Sequence, residues 1–168
     1  MNIKNHRVTI IGLGISGIGA AKLASYLGAI VFVSEKASND IIFKNAEKLI
    51  HEYHIPIETG IHTKKIYDAD IMIISPGISK NSDIIKKAKK KNIQVISEIE
   101  FASWYTEASI VAITGSNGKT TTSHILYNML KSNKITPILA GNLGISFSDK
   151  VLSELKNPIK NGLYILEI

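Results

Sequence analysis

The stretch Thr114-Gly115-Ser116-Asn117-Gly118-Lys119-Thr120-Thr121 combines the residue types that hold a nucleotide triphosphate. Backbone amides of a glycine loop that opens a helix surround a phosphate, a lysine sets a compact charge between β- and γ-phosphates, and a threonine hydroxyl can hold magnesium. The strict form of this pattern has glycine five places before Gly118, where Ile113 stands, so the loop is a variant. Gly115, Ser116, Asn117, Gly118, Lys119, Thr120 and Thr121 are the candidate ATP-binding residues, with Lys119 as the catalytic charge and Thr120 as a metal ligand.

Gly12-Leu13-Gly14-Ile15-Ser16-Gly17 fits G-x-G-x-x-G between a strand and a helix. The first glycine permits a tight turn, the second lets backbone approach a phosphate or sugar, and the third lets helix and strand pack closely. Glu35 follows 18 residues after Gly17, where an acid can accept hydrogen bonds from a ribose or a base. These residues alone leave NAD or FAD, another nucleotide ligand, and a purely structural turn all open.

Short β-branched runs alternate with amphipathic segments, which predicts an α/β chain of βαβ units with parallel sheets. Strands are expected at 7–11, 30–34, near Ile57, 70–74 and 93–96, with helices at 39–53 and 98–105. In the 39–53 helix, Ile42, Phe43, Ala46, Leu49, Ile50 and Tyr53 form an inward stripe. After the polar link Thr106-Glu107-Ala108 the pattern restarts: a strand at 109–113, a helix from Lys119 to about Ser132, and strands at 135–139 and 163–167. We therefore expect a Rossmann-like domain over 1–107 and the start of a P-loop α/β domain over 108–168. The last strand should lie between neighbours, so the chain is expected to be an N-terminal piece of a longer protein. A lone Glu167 in such a strand is rarely buried without a partner, which suggests a metal role.

Composition removes other classes. The 168 residues are 45% hydrophobic, contain no cysteine and carry a net charge of +6, which excludes a disulfide scaffold, thiolate metal sites and a disordered tail. The charge is almost all lysine, Arg7 being the only arginine, whereas nucleic-acid recognition favours arginine forks, so no nucleic-acid partner is expected. Lys86 to Lys91 read as the solvated face of a helix capped by Ser82, with Ile84, Ile85 and Ala88 inward. Gly12, Gly14, Gly17 and Gly19 spoil the apparent secretory signal formed by Lys4, His6, Arg7 and the apolar run after them. No run is long enough to span a membrane, a cytoplasmic location is expected, and no histidine shows ligand spacing.

A redox Rossmann protein would continue into a second mononucleotide half rather than a P-loop. Two nucleotide-type loops in succession suggest one nucleotide-linked substrate and one ATP, hence ATP-driven activation or phosphoryl transfer. The competing reading is an NAD-binding or nucleotide-regulated module without catalysis.

The sequence resembles the Mur ligases of peptidoglycan synthesis along nearly its whole length. The resemblance rests on Thr-Gly-Ser-Asn-Gly-Lys-Thr at 114–120, Gly-Leu-Gly-Ile-Ser-Gly at 12–17, Ser-Pro-Gly-Ile at 75–78, Glu-Ile-Glu at 98–100, Ala-Gly-Asn-Leu-Gly at 140–144 and Leu-Glu at 166–167. Together they point to the branch that adds D-glutamate to UDP-N-acetylmuramoyl-L-alanine. The resemblance implies a three-domain ligase, expected to be monomeric at full length, that uses ATP and Mg2+. Its reaction would phosphorylate the substrate carboxylate to an acyl phosphate, which the incoming amine attacks to give an amide. By the same resemblance Ile15 and Ser16 approach the UDP moiety, Glu35 and Lys36 flank the uracil, and Gly77 closes that pocket. Asn142 contacts the UDP-sugar, and Thr120 and Glu167 hold magnesium. On residue type alone, Ser75-Pro76-Gly77 and Asn142 are ordinary turn positions. The catalytic histidine, the metal-bridging lysine and the amino-acid site of the family would lie beyond Ile168, so this chain alone is expected not to ligate. D-Glutamate-dependent phosphate release from it would overturn that expectation.

Overall fold

The computed structural model describes residues 1–79, 81–131 and 134–168. Strand β1 (Arg7–Ile11) leads through the first glycine loop into helix α1 (Ile15–Tyr26), and the alternation continues with β2 (Ile30–Glu35), α2 (Asp40–Tyr53), β3 (Ile57–Thr59), a short 3-10 turn at 64–67, β4 (Ile71–Ile74), α3 (Asp83–Lys90), β5 (Gln94–Ser97) and α4 (Glu98–Ser103). The five strands form a parallel sheet in the order β3-β2-β1-β4-β5. Val8, Ile10 and Ile11 of β1 are buried, as expected of a central parallel strand with both faces covered.

The chain then forms β6 (Ser109–Ile113), α5 (Lys119–Leu130), β7 (Thr136–Gly141), α6 (Phe147–Lys156) and β8 (Gly162–Glu167). This second sheet is also parallel, in the order β6-β8-β7. The last strand lies between its neighbours as the sequence predicts, with Tyr164, Ile165 and Leu166 buried. Edge strand β6 is open, leaving Ile110 and Val111 exposed. The expected end of α5 at Ser132 lies outside the described residues.

Several local expectations differ from the structure. In α2 only Ala46 and Leu49 are buried, while Phe43 and Ile50 are exposed, because the helix covers a sheet edge from one side and the wide stripe outruns the surface it can meet. Ser82 precedes α3 but its side chain makes no cap bond. Helix α4 stops at Ser103 rather than Tyr105, as the next two aromatics fold back edge-on to Phe101, with ring centroids 6.2 and 5.5 Å away. Helix α6 has no counterpart in the sequence reading. Its signal is short, since only Phe147, Val151 and Leu152 supply its apolar buried face, although Ser146 caps it by accepting the Asp149 N–H at 3.0 Å.

That unforeseen helix joins the two sheets. Phe147 and Val151 belong to the same buried cluster as Leu23 and Phe101, and Phe147 stacks edge-on against Tyr164 at 4.9 Å. A side chain on Gly19 would fall 1.9 Å from Ser146 Oγ, so α1 and α6 touch only because position 19 is glycine. Lys22 Nζ lies 3.3 Å from Asp149 Oδ1. The Glu98 carboxylate accepts the Ser148 N–H at 2.6 Å, adding a cap from one sheet's helix layer to the other's. Burial raises the Glu98 carboxyl above its ordinary value, and the Ser148 hydrogen bonding offsets this only in part.

Phe147→Ala is expected to cost about 3 kcal/mol in urea unfolding, because a fully buried ring leaves a cavity that its neighbours fill only partly. A carboxyl raised on folding contributes stability that is fully present below its unfolded value and lost as pH rises through the folded one. Glu98→Gln should therefore match or exceed the parent chain's stability at pH 7. The parent should gain on it as pH falls toward 4.5, the ordinary value for the group, in unfolding curves at the two pH values.

Candidate functional site

Parallel strands deliver the loops after them to one edge, where helix N-terminal amides are free to meet an anion. Each sheet has such an edge. In the first, the switch between β1 and β4 opens a crevice lined by Gly12, Gly14, Ile15, Ser16, Ser75, Pro76 and Gly77. It continues past Glu35 and Lys36 into a cavity of about 510 Å³ bounded by Gly60, Ile61, His62, Ile78, Ser82 and Ile84.

The glycines of the first loop divide their work as the pattern suggests. Gly12 has φ +110°, and a Cβ there would lie 2.3 Å from Ser75 Oγ. A Cβ on Gly17 would lie 2.1 Å from the Gly12 carbonyl oxygen, so this position sets the contact between loop and helix. A Cβ on Gly14 would meet nothing within 4 Å, which leaves backbone beside the crevice for a ligand to approach. Ile15 is exposed, and Ser16 is half-buried in the first turn of α1.

Glu35 is tied to this loop. Its two carboxylate oxygens accept the Leu13 and Ala37 N–H groups, each at 2.8 Å, so it shapes the crevice and retains lone pairs toward it. Lys36 is exposed at the same rim. Beneath them, Ser34 of β2 lies opposite Glu58 of β3. The Ser34 hydroxyl is 2.6 Å from Glu58 Oε1 and 2.7 Å from His62 Nδ1. Thr63 adds its N–H to Glu58 Oε1 at 2.9 Å and its hydroxyl to Oε2 at 2.7 Å. Burial works to raise the Glu58 carboxyl, and the Ser34 and Thr63 bonds outweigh it, holding the group below its ordinary value. Sequence spacing has no signal for this cluster, because Ser34, Glu58 and His62 converge only once β2 and β3 pair.

On the second sheet, the strand ends Ile113, Glu167 and Gly141 stand in register. Gly118, at φ +76°, turns the chain into α5. The exposed loop 114–118 precedes that helix, and the Lys119 ammonium donates to the Gly115 carbonyl at 2.7 Å. The Thr120 hydroxyl donates to Glu167 Oε2 at 2.8 Å, so the one acid in the apolar β8 is partnered by the helix opposite. Asn142 is exposed and donates its N–H to the Glu167 carbonyl at 3.0 Å. Gly141 must be glycine there, since a Cβ at its φ of +90° would lie 2.4 Å from the Glu167 carbonyl oxygen.

The expected residues thus gather in two groups. Ile15, Ser16, Glu35, Lys36 and Gly77 line the first crevice, whereas Asn142 stands with Gly115 to Thr121 and Glu167 at the second edge. The loop after Asn142 runs to Ser146, the residue packed on α1, which connects the two edges. Among the described residues no three His, Cys, Asp or Glu side chains converge on one point. Thr120 and Glu167 supply two oxygen donors, which suits a magnesium ion completed by phosphates and water. Arg7, the one arginine, is spent at the opposite end of β1 on Asp68 and Asp70. The lysines of α3 are exposed, as a solvated face requires.

Comparison with known proteins gives a consistent picture. A family model described as the MurD N-terminal domain matches residues 7–84, and one described as the Mur ligase middle domain matches residues 113–162. The chain is 43% identical over 150 residues to the UDP-N-acetylmuramoylalanine--D-glutamate ligase of Christiangramia forsetii, covering 89% of this chain and 33% of that protein. It is 42% identical over 163 residues to the enzyme of the same name from Bacteroides thetaiotaomicron, covering 96% and 35%. The chain spans about a third of the length of the curated relatives it matches. Among solved structures, a murein peptide ligase from Psychrobacter arcticus superposes with a TM-score of 0.58 at 18% identity, covering 97% of this chain and 37% of that one. The UDP-N-acetylmuramate-alanine ligase of Thermotoga maritima gives 0.55 at 19%, with the same coverages. At that identity the likeness concerns the fold.

Gly14→Ala should leave the thermal midpoint of the chain within about 2 °C, since its backbone and surroundings accept a methyl group. Gly17→Ala should lower it by at least 5 °C, because loop and helix must separate. Differential scanning calorimetry of the two variants checks the contrast.

Proposed function

Because the chain belongs to the Mur ligase family, we propose that it carries the UDP-substrate and ATP-phosphate sites of a ligase that joins D-glutamate to UDP-N-acetylmuramoyl-L-alanine. The reaction belongs to cytoplasmic peptidoglycan precursor synthesis. No helix among the described residues is long and apolar enough to cross a membrane. The observation that carries the reading is the Thr120–Glu167 hydrogen bond. It couples the phosphate loop to the acid at the end of the neighbouring strand, as a magnesium nucleotide site requires.

In this reading the diphosphate of the UDP substrate lies at the α1 N-terminus, over the open backbone of Gly14, with Ile15 and Ser16 beside it. Glu35, Lys36 and Gly77 border the uracil, and Asn142 reaches the sugar from the second edge. The amides of Gly115 to Gly118, with Ser116 and Asn117 between them, enclose the ATP phosphates together with Thr121. Lys119 exchanges the Gly115 carbonyl for phosphate oxygens and stabilises the charge developed as the γ-phosphoryl group passes to the substrate carboxylate. Thr120 and Glu167 would hold Mg2+, which neutralises phosphate charge when bound. The acyl phosphate so formed is the electrophile for the amino group of D-glutamate. The role of this chain in that sequence is positioning and charge stabilisation.

Calorimetric titration tests both sites. Lys119→Ala should weaken MgATP binding by at least about tenfold, from the loss of one charge-assisted contact, and leave UDP-N-acetylmuramoyl-L-alanine binding unchanged. Equal MgATP affinity in the two proteins overturns the phosphate-loop assignment. Saturable NADH binding with no binding of the UDP ligand overturns the first-site assignment.

A further inference from the structure

The Ser34–Glu58–His62 cluster lies outside the phosphate chemistry, yet its His62 lines the cavity that continues from the first crevice. A hydroxyl has one proton, and an ionised carboxylate only accepts. Glu58, held ionised by three hydrogen bonds, therefore takes the Ser34 proton at 2.6 Å. Ser34, fully buried, is left to accept from His62, whose Nδ1 stands 2.7 Å away. The proton of the neutral imidazole is thereby assigned to Nδ1, and Nε2 is the lone-pair nitrogen. Nε2 has no hydrogen-bond partner among the described residues, and His62 lines the cavity. Ser82 lines the same cavity, and its hydroxyl oxygen is buried without a partner among the described residues. Ile78 and Ile84 supply apolar surface between them.

Glu35 and Lys36 stand at the rim of this cavity, and the ring nitrogen of His62, a neutral acceptor on its wall, suits a ring that presents an N–H. We propose that His62, fixed in its Nδ1–H tautomer by Ser34 and Glu58, accepts the N3–H of the uracil base and makes the site selective for that imide edge. His62 is then a specificity residue in contact with the ligand, while Ser34 and Glu58 are positioning residues. Cytosine presents an unprotonated N3 at the same place, so two lone pairs would face each other. The inference rests on the UDP reading given above and adds to it the group that reads the base.

The test uses UDP and N3-methyl-UDP as probes, titrated calorimetrically into the 168-residue chain at pH 8. The unmodified chain should bind UDP at least about tenfold tighter than N3-methyl-UDP, since methylation leaves a desolvated acceptor unpaired. In His62→Ala the two ligands should fall within about twofold of each other. A preference that survives in His62→Ala overturns the role of His62, because the methyl group is then excluded by something else. No saturable UDP binding by the unmodified chain overturns the nucleotide reading itself, and this inference with it. Nitrogen-15 spectra of histidine-labelled, unsubstituted chain provide a measurement that does not depend on a variant folding. Nδ1 of His62 should be the protonated nitrogen, and the Nε2 resonance should move on adding UDP. Protonation at Nε2 alone, or an Nε2 resonance indifferent to saturating UDP, overturns the proposal.

Discussion

The close packing of α6 on α1 is the contact on which the arrangement of this molecule depends. Two parallel sheets of five and three strands meet through it as well as through the link after Tyr105. The absence of a side chain at Gly19 lets Ser146 approach, and Phe147 then enters a cluster shared by both units. The same few residues carry the Lys22–Asp149 ion pair and the Glu98–Ser148 hydrogen bond. Apolar burial supplies the stabilisation here. The polar contacts fix orientation, because a buried carboxylate without its N–H partner would be costly.

That seam has a chemical result. The segment from Gly141 to Ser146 begins at the end of β7, beside Glu167, and ends against α1. Asn142 is carried between the two strand-end edges by a stretch anchored at both ends. The Asn142 N–H donates to the Glu167 carbonyl at 3.0 Å, which fixes the start of this stretch. Rigid elements position the reacting groups, and side-chain reach then needs only to be short.

Glu35, Glu58 and Glu167 share a further principle. Each lies near the end of a strand and has its carboxylate occupied by groups from another element: Leu13 for Glu35, Ser34 and Thr63 for Glu58, and Thr120 for Glu167. Acids at the edge of an apolar sheet are tolerated because these donors replace water. The same bonds fix where the remaining lone pairs point. Glu98 differs, being more deeply buried, and burial outweighs its hydrogen bonding to Ser148, so its carboxyl is raised while that of Glu58 is lowered.

Local sequence was enough for the alternation of strands and helices, the two glycine loops and the special status of Glu167. These features depend on residues close in the chain: β-branched runs, glycines at fixed offsets, and a charge inside an apolar strand. Strand β1 and strand β6 begin and end where the sequence predicts. Helix α6 escaped because three apolar residues are a weak periodic signal, and its buried face is defined by α1, more than a hundred residues earlier in the chain. The exposure of Phe43 and Ile50 on α2 likewise depends on how much sheet lies beneath that helix. The tertiary structure alone decided that Asn142 stands with Glu167 and that Ser34, Glu58 and His62 form one cluster. Hydrogen bonds between residues far apart in the chain exist only after strands have paired in register, and no local pattern encodes that pairing.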